Sequence, residues 1–385
     1  VATIVPKEAV DVVAGDKPKH PQSGGRTGLA TAGGAAQPAP ARNVLVLSGG
    51  GADGAFGAGL LIGWRDSGRR PDFEIVTGVS TGAFMAALVF AGPKYDPTLR
   101  ELYTNRSSAD LYIDKGASGL ASQSLYDDTP LRKEIERVVT PAFLADVAAE
   151  HAKGRRLYVA TTNLDAGELV VWDMGQIATG DRADPLQMFQ KVLRASAAVP
   201  GFFPPVYIKP QKGKEARQAH VDGGVKAPLL LRTFMLEQKV PGRTIHVVVN
   251  GSLSRFNYRK PVGTSVTDIG RKSIAELLRT TLDQSLYQAY VLARNAGSDF
   301  NLLAIPDDVE PSVDALTFDK AKMRVLFRAA YDIGKSGRPW LKEPPRLAEG
   351  ERVKGPGLAA APVIAAKPSA TAAPSALARS LASER

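Results

Sequence analysis

The stretch "VLVLSGGGADGAFGAGLLIGW", Val44 to Trp64, decides the fold. It passes from a short apolar run through Gly49, Gly50 and Gly51 into a second apolar segment with helical spacing. A continuous run such as "NVLVL" (43–47), without polar alternation, is the mark of a strand buried on both faces. The pattern repeats at once: "FEIVTGVS" (73–80) ends in glycine and leads into the apolar "TGAFMAALVFAG". Two strand-then-helix units in succession predict a parallel sheet with covering helices. A glycine triplet costs backbone entropy and has no side chain to pack, so the seam between strand and helix must need bare backbone.

Further strands are expected at "RRLYVATTNL" (155–164) and "GELVVWDM" (167–174), joined as a hairpin across Asp165-Ala166-Gly167. "RTIHVVVNG" (243–251) and "DFNLLAIP" (299–306) read as buried strands. Between Ser265 and Ala296, Ile274, Leu278, Leu282, Leu286 and Ala289 fall on one face of a long amphipathic helix.

With 385 residues, 44% of them hydrophobic, the chain can bury a sizeable core. Residues 1–42 and 344–385 are rich in Ala, Gly and Pro and read as disordered tails. These ends carry half of the net charge of +10, and no Lys/Arg block with interleaved aromatics appears elsewhere. That pattern argues against nucleic acid as a partner and leaves peripheral contact with an anionic membrane open. The absence of cysteine removes disulfides, thiolate catalysis and Cys-based zinc sites. The longest apolar run, "GAFMAALVFAG", is about half of a membrane span, so a soluble or peripheral chain is expected. The first residue is Val rather than Met, which leaves export through a missing targeting segment open.

"GVSTG" (Gly78–Gly82) fits G-x-S-x-G, which sets a serine on a sharp strand-to-helix turn with glycines where a Cβ would clash. The same serine would also serve as an ordinary helix cap. Gly49, Gly51 and Gly54 fit G-x-G-x-x-G, the pattern of a dinucleotide-binding turn. That reading wants an acid at the end of the second strand, whereas Asp72 and Glu74 stand at its start. The competing reading is an oxyanion hole, with backbone N–H groups aimed at a developing negative charge. Close packing of helix on strand is expected to explain one of the three consecutive glycines.

An activated serine needs a base. His20 lies in a tail, His151 reads as a helix-end surface residue, and His246 sits inside an apolar strand. "HVDGGV" offers Asp222 before two glycines, with His220 as its structural neighbour on the same strand face.

Taken in order, Gly49–Gly54, Gly78–Gly82, "RASAAVPGFFPPV" (194–206) and Asp222-Gly223-Gly224 resemble the motifs of the patatin-like phospholipases, over residues 43–235. The resemblance implies an α/β fold, a three-layer sandwich whose parallel-rich central sheet is covered by helices. It implies a lipid or ester substrate and a Ser–Asp dyad without histidine, metal or cofactor. By motif position Ser80 is then the nucleophile and Asp222 the base. Gly49, Gly50 and Gly51 form the oxyanion hole, and Gly54, Gly78, Gly82, Gly223 and Gly224 are motif glycines. Residues 236–343 would complete the same α/β domain. The family often carries Arg or Lys where this chain has Asp53, whose carboxylate is expected to cap the following helix. An aspartate is ordinarily ionised well below neutrality, so activity would persist at mildly acidic pH. Two other readings remain: an α/β-hydrolase triad of Ser80, Asp222 and His246, and a non-catalytic lipid-binding protein on the same fold.

Overall fold

The computed structural model describes residues 11–12, 42–180, 183–209, 217–253, 261–309 and 315–345. The tails expected at 1–42 and 344–385, His20 included, lie almost wholly outside them. In chain order the first half contains β1 (Asp11–Val12), β2 (Asn43–Leu47), α1 (Gly54–Asp66), β3 (Ile75–Gly78), α2 (Thr81–Ala91), α3 (Asp96–Thr104), β4 (Ile113–Asp114), β5 (Tyr126–Asp127), α4 (Thr129–Val138) and α5 (Pro141–Ala152). The second half contains β6 (Arg156–Asn163), β7 (Glu168–Asp173), α6 (Met174–Thr179), α7 (Pro185–Ser196), β8 (Val206–Ile208), β9 (Gln218–Asp222), β10 (Thr244–Ser252), α8 (Val266–Asn295), β11 (Asp299–Ile305) and α9 (Lys320–Ser336).

The main sheet runs β1-β7-β6-β3-β2-β10-β11, with β9 paired to β6 and β8 to β9. Its centre, β6-β3-β2-β10-β11, is parallel throughout. The expected hairpin is present as the antiparallel pair β6–β7, and β9 also runs antiparallel to β6. Apolar residues on both sides of each central strand explain why helices cover both faces. Leu45 and Leu47 of β2 join the core made with α1, α2 and α9, while Val44 and Val46 join the core on the α8 side. This is the three-layer α/β sandwich that the family resemblance implies, built on the parallel sheet and covering helices expected from the strand and helix pattern.

The long helix forms as its apolar spacing predicts. Ser265 caps α8, accepting the Asp268 N–H at 3.0 Å. Leu286 and Ala289 are buried, and Ile274, Leu278 and Leu282 pack partly buried against the cores. Among the described residues, no helix is long and apolar enough to cross a membrane.

His151 departs from the surface position expected for it. It lies half-buried on α5, 3.8 Å from Asp173 and against the backbone of Gly175, and burial lowers its pKa. A helix-end position does not make a residue exposed when a following element, here α6, packs over it.

Strand register then positions the site. Leu47 pairs with both Gly78 and Val248, so β2, β3 and β10 reach the carboxyl edge together. The glycine turn, Ser80 and Asn250 therefore emerge side by side at that edge, where open α/β sheets place their ligands.

Candidate active site

Ser80 is, among the described residues, the one non-glycine with positive φ (φ 54, ψ −126). Such a conformation costs roughly 1–3 kcal/mol and persists only where its surroundings enforce it. The flanking glycines show how. A Cβ on Gly82 would lie 2.5 Å from the Ser48 carbonyl oxygen, and one on Gly78 would overlap the Gly82 carbonyl. The elbow is thus pressed against β2 and its own helix, with no room for side chains at either flank. Thr81, the first residue of α2, is held by Tyr103, whose hydroxyl donates to the Thr81 carbonyl at 2.9 Å. Gly54 leaves space for this pair, since a Cβ there would lie 2.5 Å from both Thr81 Oγ1 and Tyr103 Cε1.

The glycine turn is more tightly packed than its sequence suggested. Gly50 (φ 155) and Gly51 (φ 56) sit where a Cβ would overlap the carbonyls of Asn250 and Ala315. Close packing therefore accounts for two of the three glycines, not one. Gly49 differs: its Cβ would make an ordinary contact with Ser80 Cβ at 3.4 Å, and its N–H donates to the Pro228 carbonyl at 3.0 Å. This removes Gly49 from the donors left for an oxyanion. Among the described residues, the N–H groups of Gly50, Gly51 and Thr81 have no partner. Asn250 staples the turn to β10: its side-chain NH2 donates to the Ser48 carbonyl (2.8 Å), and its N–H donates to Ser48 Oγ (2.9 Å).

Asp53 precedes α1 without capping it through its side chain, contrary to expectation. The turn of Gly51–Asp53 is already a tight helix, so Asp53 has helical dihedrals (φ −66, ψ −9) and its carboxylate does not reach back over the N-terminus. Asp53 is buried in the cavity wall.

Asp222 ends β9, fully packed, and its Oδ1 accepts the Gly224 N–H at 2.7 Å. A Cβ on Gly223 would lie 2.5 Å from the Ala160 carbonyl, and one on Gly224 would lie 2.9 Å from Asp222 Oδ1, so both glycines are needed for this close turn. Burial pushes the Asp222 carboxyl up to about 7, against the opposing effect of hydrogen bonds from the Ser80 side chain and the Gly224 N–H. Desolvation outweighs both hydrogen bonds, which sets the Asp222 carboxyl above the ordinary aspartate range from which activity at mildly acidic pH was expected.

Neither histidine near in sequence joins the pair. His220 exchanges a hydrogen bond with Thr161 Oγ1 (2.9 Å), and burial pushes it down to about 4. His246 lies on β10 opposite Leu45, among the rings of Trp64, Phe73 and Trp340, and burial pushes it also to about 4. The triad of Ser80, Asp222 and His246 is not assembled. Among the described residues no cluster of His, Asp and Glu could hold a metal ion.

Ser80 and Asp222 open onto a cavity of about 640 Å³ whose walls include Phe84, Leu102, Leu131, Phe202, Leu278 and Phe318. The walls come from α2, α3, α4, α8, the loop after α7 and the segment before α9, and are predominantly apolar. Sequence reading missed three residues of this site. Asn250 was visible only as the polar end of an apolar strand, Ser196 stood inside the "RASAAVP" block without a role, and Tyr103 carried no local signal.

The family of patatin-like phospholipases matches residues 45–235, and the chain contains a patatin-like phospholipase domain. At the family level this is a domain of the lipid-hydrolase type. Among solved structures the chain is similar to VipD from Legionella pneumophila, at 13% identity over 77% of this chain and 66% of that one, TM-score 0.43. It is also similar to full-length ExoU in complex with SpcU, from the type III secretion system of Pseudomonas aeruginosa, at 14% identity over 77% and 52%, TM-score 0.30. The chain thus spans about two thirds of the first of these proteins and half of the second. No curated protein matches it.

Proposed function

We propose that this protein hydrolyses carboxylic esters of lipids, with Ser80 as nucleophile and Asp222 as general base. The observation that carries the reading is a serine held at φ 54 that lines, together with the buried carboxyl of Asp222, the wall of one apolar cavity. Ionised Asp222 takes the Ser80 proton as Oγ attacks the ester carbonyl. The N–H groups of Gly50, Gly51 and Thr81 are the donors for the oxyanion. Collapse breaks the ester C–O bond, Asp222 returns the proton to the leaving alcohol, and a serine ester of the fatty acid remains. Water then repeats the sequence on the acyl-enzyme, delivering its proton through Asp222 and freeing Ser80. The catalytic unit extends past residue 235, because β10 supplies Asn250 and α8 supplies Ile274, Leu278 and Leu282 of the cavity wall. Residues 43–343 therefore act as one domain.

Turnover of a short-chain nitrophenyl ester and of phosphatidylcholine vesicles tests this in wild type, Ser80→Ala and Asp222→Asn. Loss of turnover in both folded variants is the expected result. A wild type inert on both substrates would move the non-catalytic lipid-binding reading to the front.

A further inference from the structure

We infer that Ser196 is a positioning residue for Ser80, an inference that rests on the reading of Ser80 as nucleophile. Ser196 ends α7 and is wholly buried. Its hydroxyl accepts the Ser80 backbone N–H at 3.0 Å and donates to the Ala160 carbonyl at 2.8 Å. The direction of both bonds is fixed, since an N–H only donates and a carbonyl only accepts. Ser80 N–H belongs to the residue before α2 and has no helical carbonyl to pair with. Left unpaired in this part-buried place it would add a desolvation cost to a residue already at φ 54. The Ser196 hydroxyl removes that cost only while the elbow keeps its present geometry.

The same helix end reaches the base. The Ala198 carbonyl accepts the Asp222 N–H at 2.9 Å, two residues beyond Ser196. The turn is itself anchored, because the Arg194 guanidinium grips the Asp128 carboxylate with bonds of 2.6 and 2.7 Å. One segment, Arg194 to Ala198, thus fixes the backbone of both reacting residues relative to each other. Ser196 touches neither substrate nor the reacting oxygens, and acts through the Ser80 backbone.

The test compares Ser196→Ala with Val192→Ala, which opens a void one turn earlier in the same buried helix without touching the site. For a nitrophenyl butyrate substrate, Ser196→Ala is expected to lower kcat about 10- to 100-fold with KM within about twofold, as a displaced nucleophile requires. Its rate of labelling by a fluorophosphonate, which reports Ser80 alone, should fall in parallel. Val192→Ala should lose thermal stability and keep kcat per folded molecule. Ser196→Cys fills the same space with a poor acceptor and provides the test where the alanine variant does not fold. Equal kcat per folded molecule in the Ser196 and Val192 variants would overturn the positioning role while leaving the nucleophile in place. A wild type that neither turns over ester nor takes the label would overturn both readings.

Discussion

After β2 the chain leaves the sheet through Gly50 and Gly51, at φ 155 and 56; after β3, one strand away, it leaves through Ser80 at φ 54. Both turns demand backbone that side-chain-bearing residues avoid, and both end in a helix. The first uses glycine and is relaxed, with neighbouring carbonyls packed where Cβ atoms would be. The second keeps a side chain there and is strained, held by Ser196 from one side and by the Gly78 and Gly82 contacts from the other. On the proposed mechanism, the difference separates a turn that presents backbone N–H groups from one that presents an oxygen.

The largest effect is expected where this contrast is broken outright. Gly51→Ala places a Cβ on the Ala315 carbonyl at a positive φ, and Gly50→Ala does the same against Asn250. Rigid backbone on the receiving side leaves nowhere to relax, so each should cost more than about 3 kcal/mol in denaturant unfolding or fail to fold. Gly49→Ala meets only an ordinary contact and should cost less than about 1 kcal/mol. Equal losses at all three positions would show that the triplet is a single packing unit rather than a turn with distinct parts.

Next in size is the effect of pH on the opposite partner, Asp222. On the proposed mechanism Asp222 acts as an ionised base, so kcat/KM should rise with pH through about 7. His246→Ala should leave that midpoint unmoved, because His246 lies in an aromatic cluster away from Ser80. Loss of the transition in that variant would restore the triad. Stability carries the opposite sign. The folded carboxyl holds its proton to about 7, whereas the unfolded one releases it near the ordinary value of 3.8. Stability from this group is therefore full below the unfolded value and is lost as pH rises through the folded one. Asp222→Asn removes that loss and should gain on wild type between pH 4 and pH 8, by up to about 4 kcal/mol. A constant difference across that range, read from urea midpoints, would mean that Asp222 is already ionised in the folded protein at pH 4.

How much of this was legible depends on how far each contact reaches along the chain. Strand and helix periods are local, so β2, β3, the β6–β7 hairpin and α8 with its Ile274–Ala289 face could be read directly. Ser80 and Asp222 could be found because glycine spacing marks a tight turn, and tight turns are local too. What escaped depends on distant partners. The Gly49 N–H is taken by Pro228, and Ser80 is held by a serine 116 residues further along. The elevated Asp222 carboxyl follows from walls that no local pattern around "HVDGGV" reveals. Asp53 shows the reverse error: a sound local rule for helix caps failed because the preceding glycine turn was already helical.

The smallest effect is also the sharpest on the comparison, because it isolates strain from chemistry. Ser80→Ala and Ser80→Gly both lack the hydroxyl, so on the proposed mechanism both should lose turnover, and both lose the side-chain interaction with Asp222. They differ only in a Cβ held at φ 54, which glycine tolerates and alanine does not. Glycine gives back some of the advantage through its greater freedom in the unfolded chain. The net expectation is that Ser80→Gly is the more stable of the two inactive variants by about 1 kcal/mol. Gly82→Ala should move in the other direction, since its Cβ lies 2.5 Å from the Ser48 carbonyl. Were alanine and glycine at position 80 equally stable, the elbow would not be storing strain, and Ser196 would be holding a turn that already holds itself.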